Sequence, residues 1–277
     1  GTDYHTVLRD RLAKLEEYIA SHIIDAKTRS MVDTGELSDR AVAQRAGIGW
    51  SAKNCAVITP EFGSYVYLGE IITNIPFVPD TPMEDECGDC RLCLDVCPTG
   101  ALIEGGQLNA QRCIAFLTQT KTSLPDEFRT KIGNRIYGCD TCQTVCPKNK
   151  GKFNMHQLDF QPDPELAKPL LLPLLKMSNK EFKTKFGHVS GSWRGKKPIQ
   201  RNAILALAHF KEESSIPDLI DLLVNDERPV IRGTAAWAIG KIGTKEGRAA
   251  LHQAVVTETD AEVVEEIHKG LAFQTVN

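Results

Sequence analysis

Eight of the nine cysteines in this 277-residue sequence lie between Cys87 and Cys146, and their spacing is the strongest chemical signal in the chain. The first run reads C-x2-C-x2-C-x3-C-P, and its last cysteine is Cys97. The second run reads C-x2-C-x3-C-P and ends at Cys146, and Cys113 lies between the two. Cysteines at two-residue gaps, followed by a cysteine–proline pair, are typical of loops that bind [4Fe–4S] clusters.

In two-cluster ferredoxins the cysteine before the proline ligates the cluster of the other run, and this crossover rule predicts both ligand sets. The first cluster takes Cys87, Cys90, Cys93 and Cys146, and the second takes Cys97, Cys113, Cys139 and Cys142. Cys113 replaces a cysteine that the second run lacks. Structural zinc in four-cysteine sites is the alternative, and the proline-terminated spacing favours iron–sulfur clusters. Cys55 lies in an apolar run and is expected to be a small buried core residue.

The composition is that of an ordinary globular protein. It is 42% hydrophobic and 25% charged, with a net charge of −3, which allows about two domains. No uninterrupted apolar run reaches the ~18 residues that a membrane-spanning helix needs, so we expect no membrane partner. No secretion signal precedes the first helical pattern, so we expect a cytoplasmic protein whose cysteines bind metal.

Helix and strand patterns divide the chain into four predicted segments. Residues 1–76 predict part of an α/β domain, residues 77–152 a bacterial ferredoxin-like module, and residues 153–197 a basic connecting segment. In residues 198–277 a Pro-x-x-Arg motif and an alanine-rich helix recur after 31 residues, at Pro198 and Pro229. This period predicts a HEAT-like α-solenoid. The predicted fold class is a multidomain α+β protein that combines these parts.

In residues 1–76 we expect two helices and three β runs, and two of the loops between them are candidate functional loops. We expect helices over 5–24 and 39–46 and β runs over 29–32, 55–59 and 65–72. The loop 46–54 contains Gly47 and Gly49, whose missing side chains would let the backbone approach a bulky ligand. Asp33 precedes Thr34-Gly35, a loop sequence in which its side chain is suited to form an Asx-turn.

Basic residues concentrate between Lys176 and Arg201, where eight of them accompany one acidic residue, Glu181. This local cation density favours a phosphate-binding surface, and Trp193 beside Arg194 is suited to stack on a base. The predicted RNA contacts are Arg194, Lys196, Lys197 and Arg201. A solvated charged face without a ligand is the alternative, and Arg201 also recurs at the repeat offset, as a structural residue would.

Three features together resemble the epoxyqueuosine reductase family. They are VDTGELSDRAVAQRAGIGWSAKNCAVI at 32–58, the cysteine module ending in YGCDTCQTVCPKN, and the terminal HEAT-like repeat. The resemblance implies a cobalamin-dependent iron–sulfur enzyme of tRNA modification, related to the corrinoid reductive dehalogenases. It also implies that residues 1–76 form only part of the cobalamin-binding domain, because the family carries a further segment before the position of Gly1.

The reaction implied by the resemblance is the last step of queuosine biosynthesis. The epoxide of epoxyqueuosine, in a tRNA anticodon stem–loop, is reduced to queuosine by electrons that an external donor passes through the clusters to cobalamin. Asp33 falls on the family's catalytic acid, and the implied cobalamin contacts are Ile48, Trp50, Ser51, Lys53, Asn54 and Gln119. The alternatives are a dehalogenase-like reductase of another substrate, a ferredoxin-type electron-transfer protein and an RNA-binding adaptor.

Overall fold

The structure is a computed structural model that describes residues 1–152 and 157–273. Residues 153–156 of the predicted connecting segment and 274–277 of the predicted repeat lie outside the described residues. The chain divides into two compact units. Unit 1 comprises residues 1–113, 140–162 and 188–190, and unit 2 comprises residues 114–139, 163–187 and 191–277.

Unit 1 combines one long helix with short helices and paired strands. Its helices are α1 (Tyr4–His22), α2 (Asp39–Arg45), α3 (Leu92–Asp95) and α6 (Thr141–Thr144). Its strands form three antiparallel pairs: β1 (Thr28–Met31) with β4 (Glu70–Thr73), β2 (Trp50–Ser51) with β3 (Val57–Ile58), and β5 (Leu102–Glu104) with β6 (Gln107–Leu108). Within the described residues the sheets of unit 1 are therefore small antiparallel pairs.

The two predicted helices and the first predicted strand of this region are confirmed to within two residues at each end. The other two β runs are wrong in their bounds. The run predicted over 55–59 begins only at Val57, because Cys55 has a φ of +64° and that left-handed backbone cannot continue a strand. The run predicted over 65–72 becomes a strand only at Glu70, because its partner β1 is four residues long.

The cysteine segment and the strands before it share one core, so the predicted boundary at residue 76 does not separate two units. Trp50, Ala52 and Ile58 are buried together, and Cys87 and Cys146 pack against them. A second connection is the side chain of Asn149, which is 2% exposed. Its Oδ1 accepts the backbone N–H of Ser64 at 2.8 Å, and its Nδ2 donates to the Ser64 hydroxyl at 2.8 Å. The four-segment division remains a prediction.

Unit 2 is helical in all its described elements. The shorter helices are α4 (Ile114–Leu117), α5 (Asp126–Ile132), α7 (Pro164–Ala167), α8 (Leu171–Lys176) and α9 (Asn179–Phe186). The longer ones are α10 (Lys196–Phe210), α11 (Ile216–Asn225), α12 (Pro229–Ile242), α13 (Lys245–Thr257) and α14 (Ala261–Ala272). The helices α10 and α12 match the two alanine-rich patterns of the predicted repeat.

Small residues and buried ion pairs hold the helices of unit 2 together. A side chain at Gly240 in α12 would collide with the backbone of Gly270 in α14, so the two helices touch at their backbones. Arg129 in α5 and Glu266 in α14 form a buried two-bond ion pair, with one bond of 2.9 Å. Among the described residues, no helix combines the length and apolar character needed to cross a membrane.

Candidate functional site

The four cysteines predicted for the first cluster line one cavity in unit 1. Cys87, Cys90, Cys93 and Cys146 all contribute to its wall. All four are free thiols and partly buried. Three come from the loop before and within α3, and the fourth follows α6. The fold therefore brings a cysteine from the second run to the first run, as the crossover rule predicts.

Lys53 holds the loop that carries three of these cysteines. Its ammonium group donates to the carbonyl oxygens of Gly88 and Cys90, the latter at 3.1 Å. The carboxylate of Asp85 accepts the backbone N–H of Cys87 at 2.7 Å. Lys148, which follows Cys146, forms a 2.6 Å ion pair with Glu86. Side chains from both cysteine runs and from the β2–β3 connection thus fix the positions of the thiols.

The pKa shifts of these thiols indicate that their thiolate forms need a positively charged partner. Burial raises the pKa of Cys87 and of Cys93 above the ordinary thiol value. At Cys87 the backbone N–H of Lys53 and the indole of Trp50 act in the opposite direction. Buried thiolates are stable when a bound metal supplies positive charge, so this donor set fits an iron–sulfur cluster.

The four cysteines predicted for the second cluster, Cys97, Cys113, Cys139 and Cys142, are also free and partly buried. Burial raises the pKa of Cys97, but hydrogen bonds from the backbone N–H groups of Leu102, Thr99 and Ala101 outweigh it and leave a net lowering. The Ala101 N–H lies 3.3 Å from the sulfur. Such N–H donors stabilise a metal-bound thiolate. The grouping of these four cysteines around one cluster remains a prediction.

Cys55 does not occupy the predicted position in a buried strand. It lies in the turn between β2 and β3, is partly exposed, and has a left-handed backbone. Burial is the main cause that raises its pKa, and the nearby Cys113 adds to it. The prediction of a core residue is therefore wrong, because the β2–β3 turn begins before the run that the sequence pattern indicates.

Asp33 lies at the surface of unit 1, in the loop between β1 and α2, with a φ of +56°. Its side chain is 58% exposed. Its Oδ2 accepts the Tyr4 hydroxyl at 2.8 Å and lies 3.4 Å from Nε2 of His5. The carboxylate of Asp39 accepts the Asp33 backbone N–H at 2.8 Å. The carboxyl group is therefore positioned by its neighbours and accessible to a ligand.

Tyr4 and His5 were not found from the sequence. Nδ1 of His5 lies 2.8 Å from the carboxylate of Asp3, and this contact orients the ring so that Nε2 faces Asp33. The Tyr4 ring stacks on Tyr67, with a centroid separation of 4.5 Å and an interplanar angle of 7°. These residues are 28 or more positions from Asp33, and only the packing of α1 beside β1 brings them to it. No motif or spacing in the sequence signals that contact.

The six residues predicted to contact cobalamin do not share one environment. Ile48 and Ser51 are exposed, whereas Trp50 and Asn54 are 2% and 8% exposed. Lys53 and Asn54 line the cysteine cavity, and Trp50 packs against two of its cysteines. In unit 2, Gln119 accepts the Trp193 indole N–H at 2.7 Å.

The expected role of the two glycines in the 46–54 loop is wrong. A side chain at Gly47, which has a φ of +68°, would lie 2.7 Å from the carbonyl oxygen of Thr81. A side chain at Gly49 would collide with the backbone of Ile58. These glycines allow the protein's own segments to approach closely, and the space beside them is not left for a ligand.

The predicted RNA contacts also have different environments. Arg194 is exposed, and its guanidinium lies 3.9 Å from the ring centroid of Trp193, which is 60% exposed. Lys197 is partly exposed. The Lys196 ammonium group donates to the carbonyl of Met177 at 2.7 Å, and burial lowers its pKa. Lys196 thus has a structural partner already.

Arg201 is not a surface residue, and its assignment as an RNA contact is wrong. It is 1% exposed, and its guanidinium donates to the carbonyls of Leu117, Thr120 and Thr122 at 2.6–2.9 Å. Burial, together with the charge of Arg129, lowers its pKa to about 10. Arg201 thus has a structural role, the alternative indicated by the sequence: it anchors the loop after α4 onto α10.

Comparison with known families gives matches for three ranges of this chain. Residues 86–149 match the 4Fe-4S double cluster binding domain, and residues 195–272 match HEAT repeats. Residues 1–34 match the family model described as Epoxyqueuosine reductase QueG, DUF1730. The epoxyqueuosine reductase of Bacillus subtilis (strain 168) is 69% identical over 272 residues, which are 98% of this chain and 70% of the relative.

The chain belongs to the epoxyqueuosine reductase family. The Escherichia coli (strain K12) epoxyqueuosine reductase is 36% identical over 273 residues, 98% of this chain and 71% of that protein. A crystal structure of an epoxyqueuosine reductase with a tRNA-Tyr epoxyqueuosine-modified tRNA stem loop is 68% identical, with a TM-score of 0.96. The match covers 99% of this chain and 72% of the chain in that crystal structure.

Membership of the epoxyqueuosine reductase family confirms the resemblance found in the sequence and makes the protein an oxidoreductase. The iron–sulfur prediction is confirmed for the module as a whole, and the zinc alternative is set aside. The HEAT-like prediction is confirmed over residues 195–272. The fold class is confirmed in its coarse form, a helix-rich mixed α/β chain with a cluster module and a repeat.

Proposed function

We propose that this chain reduces the epoxide of epoxyqueuosine in tRNA to the cyclopentene of queuosine, with two [4Fe–4S] clusters and cobalamin as its cofactors. The reaction takes up two electrons and two protons, breaks both C–O bonds of the epoxide and releases its oxygen as water. The observation that carries the proposal is that unit 1 contains both a cavity lined by four thiols and an accessible carboxyl group held by a tyrosine and a histidine.

Asp33 is proposed as the proton donor to the departing oxygen. A breaking C–O bond accumulates negative charge on oxygen, and a positioned acid lowers the barrier by protonating it. The Tyr4 hydroxyl and the His5 imidazole contact the same carboxylate oxygen, Oδ2. They orient the carboxyl group so that its other oxygen remains available to the substrate.

The cysteines supply the ligands for the electron path. Cys87, Cys90, Cys93 and Cys146 would hold the first cluster, and Cys97, Cys113, Cys139 and Cys142 the second. Each cluster, when bound, stores and transfers one electron at a time. Lys53, Asp85 and Lys148 keep the loops of the first set in place by the contacts described above.

Cobalamin, when bound, supplies a strongly reducing cobalt centre. Of the residues predicted to contact it, Ile48 and Ser51 are exposed and free to meet a corrin ring. Trp50, Lys53 and Asn54 belong instead to the wall or surroundings of the thiol cavity. We therefore limit the proposed cobalamin contacts in unit 1 to Ile48 and Ser51.

The exposed Trp193–Arg194 pair is proposed to contact the tRNA, together with Lys197. A cation stacked on an aromatic face offers both a phosphate contact and a stacking surface for an unpaired base. The solved relative with a modified stem loop supports an anticodon stem–loop as the substrate. Arg201 is excluded from this surface by its burial, and Lys196, whose ammonium group has one backbone partner, stays a predicted contact.

The test is a reductase assay under oxygen exclusion. Purified protein, a chemical reductant and an epoxyqueuosine-bearing anticodon stem–loop are combined with and without added cobalamin, and the nucleosides are analysed by mass spectrometry. We expect loss of one oxygen atom from the modified base only when cobalamin is present. Equal conversion without cobalamin would contradict the proposed cofactor, and no conversion in either case would contradict the proposed reaction.

A further inference from the structure

Trp50 contains a buried hydrogen-bond donor that the proposed reaction does not use. Its side chain is 2% exposed, and its indole Nε1 has no hydrogen-bond partner among residues 1–152 and 157–273. An unsatisfied buried N–H destabilises the folded protein. Native structures rarely leave such a group unpaired without a reason, so the direction of this N–H points to a function.

The surroundings of Trp50 fix the orientation of its ring. Its strand β2 pairs with β3, with Trp50 opposite Ile58, and these residues share a core with Ala52. The ammonium group of Lys148 lies 5.6 Å from the ring centroid. The ring is therefore held by the hairpin and by a cation over its face, and the indole cannot turn freely toward another acceptor.

The predicted cluster ligand beside this indole is Cys87. It packs against the core that Trp50 forms with Ala52 and Ile58, and it lines the thiol cavity. Lys53, three residues after Trp50, donates to the carbonyl oxygen of Gly88, the residue after Cys87. The Cys87 loop is thus held against the Trp50 hairpin, and a buried N–H without a partner lies beside a predicted cluster ligand.

We propose that the Trp50 indole N–H donates a hydrogen bond to the Cys87 sulfur of the first [4Fe–4S] cluster and thereby raises the reduction potential of that cluster. Reduction adds negative charge to the cluster and its thiolates. A hydrogen bond to a ligating sulfur stabilises the reduced form more than the oxidised form. The inference depends on the cluster site alone, so its outcome is separate from that of the tRNA reaction.

The first test compares reduction potentials in Trp50→Phe and unsubstituted protein, both loaded with iron and sulfide under oxygen exclusion. Phenylalanine keeps an aromatic ring and removes the N–H. The potential of the first cluster, followed by EPR in a redox titration, should fall. A bond worth about 1 kcal/mol corresponds to a roughly fivefold change in the reduction equilibrium, or about 40 mV for one electron.

The control variant is Val57→Ala, which loosens the same hairpin. Val57 is buried on β3 opposite Ser51 and does not line the thiol cavity. We expect no comparable shift in this variant, and none in the second cluster of Trp50→Phe. An unchanged potential in Trp50→Phe, or an equal shift in both variants, would overturn the proposal.

A second measurement does not depend on a substitution. The unsubstituted protein is labelled with 15N in its tryptophan indoles, its clusters are reduced, and pulsed EPR is recorded in H2O and in D2O. We expect one 15N coupling and one exchangeable proton coupling to the first cluster. The absence of both couplings would overturn the proposal even if Trp50→Phe failed to assemble its clusters.

Discussion

The two units of this chain reach stability by different means. The cluster segment of unit 1 has short helices and two-stranded pairs around a cavity lined by four thiols together with charged, polar and apolar side chains. Unit 2 fills its own interior with the alanines of α10 and α12 and with ion pairs such as Arg129–Glu266. We therefore expect the first cluster to complete the core of unit 1, whereas side chains fill the interior of the helical repeat in unit 2.

Cys146→Ala should have the largest effect, because Cys146 is the proposed ligand that connects the second cysteine run to the first cluster. We expect iron to fall from about eight to about four atoms per chain, activity to be lost, and the thermal unfolding of unit 2 to be unchanged. Iron analysis and calorimetry measure these results.

The matched control is Cys55→Ala, which removes a partly buried cysteine outside both ligand sets. It should retain about eight iron atoms. Equal iron loss in both variants would contradict the ligand assignment, and unfolding of unit 2 in Cys146→Ala would contradict the difference between the units.

Asp33→Ala tests whether the exposed loop of unit 1 carries the proton transfer. We expect turnover to fall by about 10²–10⁴, the range for loss of a general acid, while iron content and stem–loop binding stay unchanged. Single-turnover kinetics measure the rate. The control is Asp10→Ala, which removes an exposed carboxyl group on α1. If Asp10→Ala lowered turnover as much as Asp33→Ala does, a specific role of Asp33 would be refuted.

Arg201→Met tests the packing of unit 2. Methionine keeps much of the side-chain volume but removes every donor, and it leaves the carbonyls of Leu117, Thr120 and Thr122 without that partner. The free energy of unfolding should fall by about 3 kcal/mol, as measured by urea denaturation. A stability within about 0.5 kcal/mol of the unsubstituted protein would show that the buried network is not needed.

Arg194→Ala with Lys197→Ala tests the proposed RNA surface. Loss of two phosphate contacts should weaken stem–loop binding about tenfold and lower the slope of log affinity against log salt by about 1–2. Unfolding should be unchanged, in contrast to Arg201→Met. A titration with labelled stem–loop measures both quantities, and an unaltered salt slope would leave this surface without a role in binding.

The smallest expected effect concerns pH and the Glu258–Arg232 pair, whose atoms lie 2.8 Å apart. The hydrogen bond from Arg232 lowers the pKa of Glu258 below the ordinary carboxyl value. A lowered folded-state pKa stabilises the protein above the unfolded pKa of about 4.3 and loses that contribution as the pH falls. Glu258→Gln should therefore cost about 1 kcal/mol at pH 7 and less as the pH falls through the folded-state pKa of Glu258, as measured by denaturation at pH 7 and at successively lower pH.

The sequence predicts best the structural features that depend on residues close together along the chain. Cysteine spacing specifies a cluster loop locally, and a 31-residue period specifies a helical repeat, so both predictions were confirmed at the level of the domain. The contact of Tyr4 and His5 with Asp33 requires α1 to pack beside β1, which no local pattern encodes. The same reason explains Arg201, whose charge suggested a surface although α10 buries it.

The most direct test of the account counts electrons. The protein with both clusters reduced and cobalamin added is mixed with an epoxyqueuosine stem–loop in the absence of excess reductant, and cluster oxidation and queuosine formation are followed together. We expect one queuosine for every two electrons withdrawn from the clusters. Queuosine formed while the clusters stay reduced, or oxidised clusters without queuosine, would contradict it.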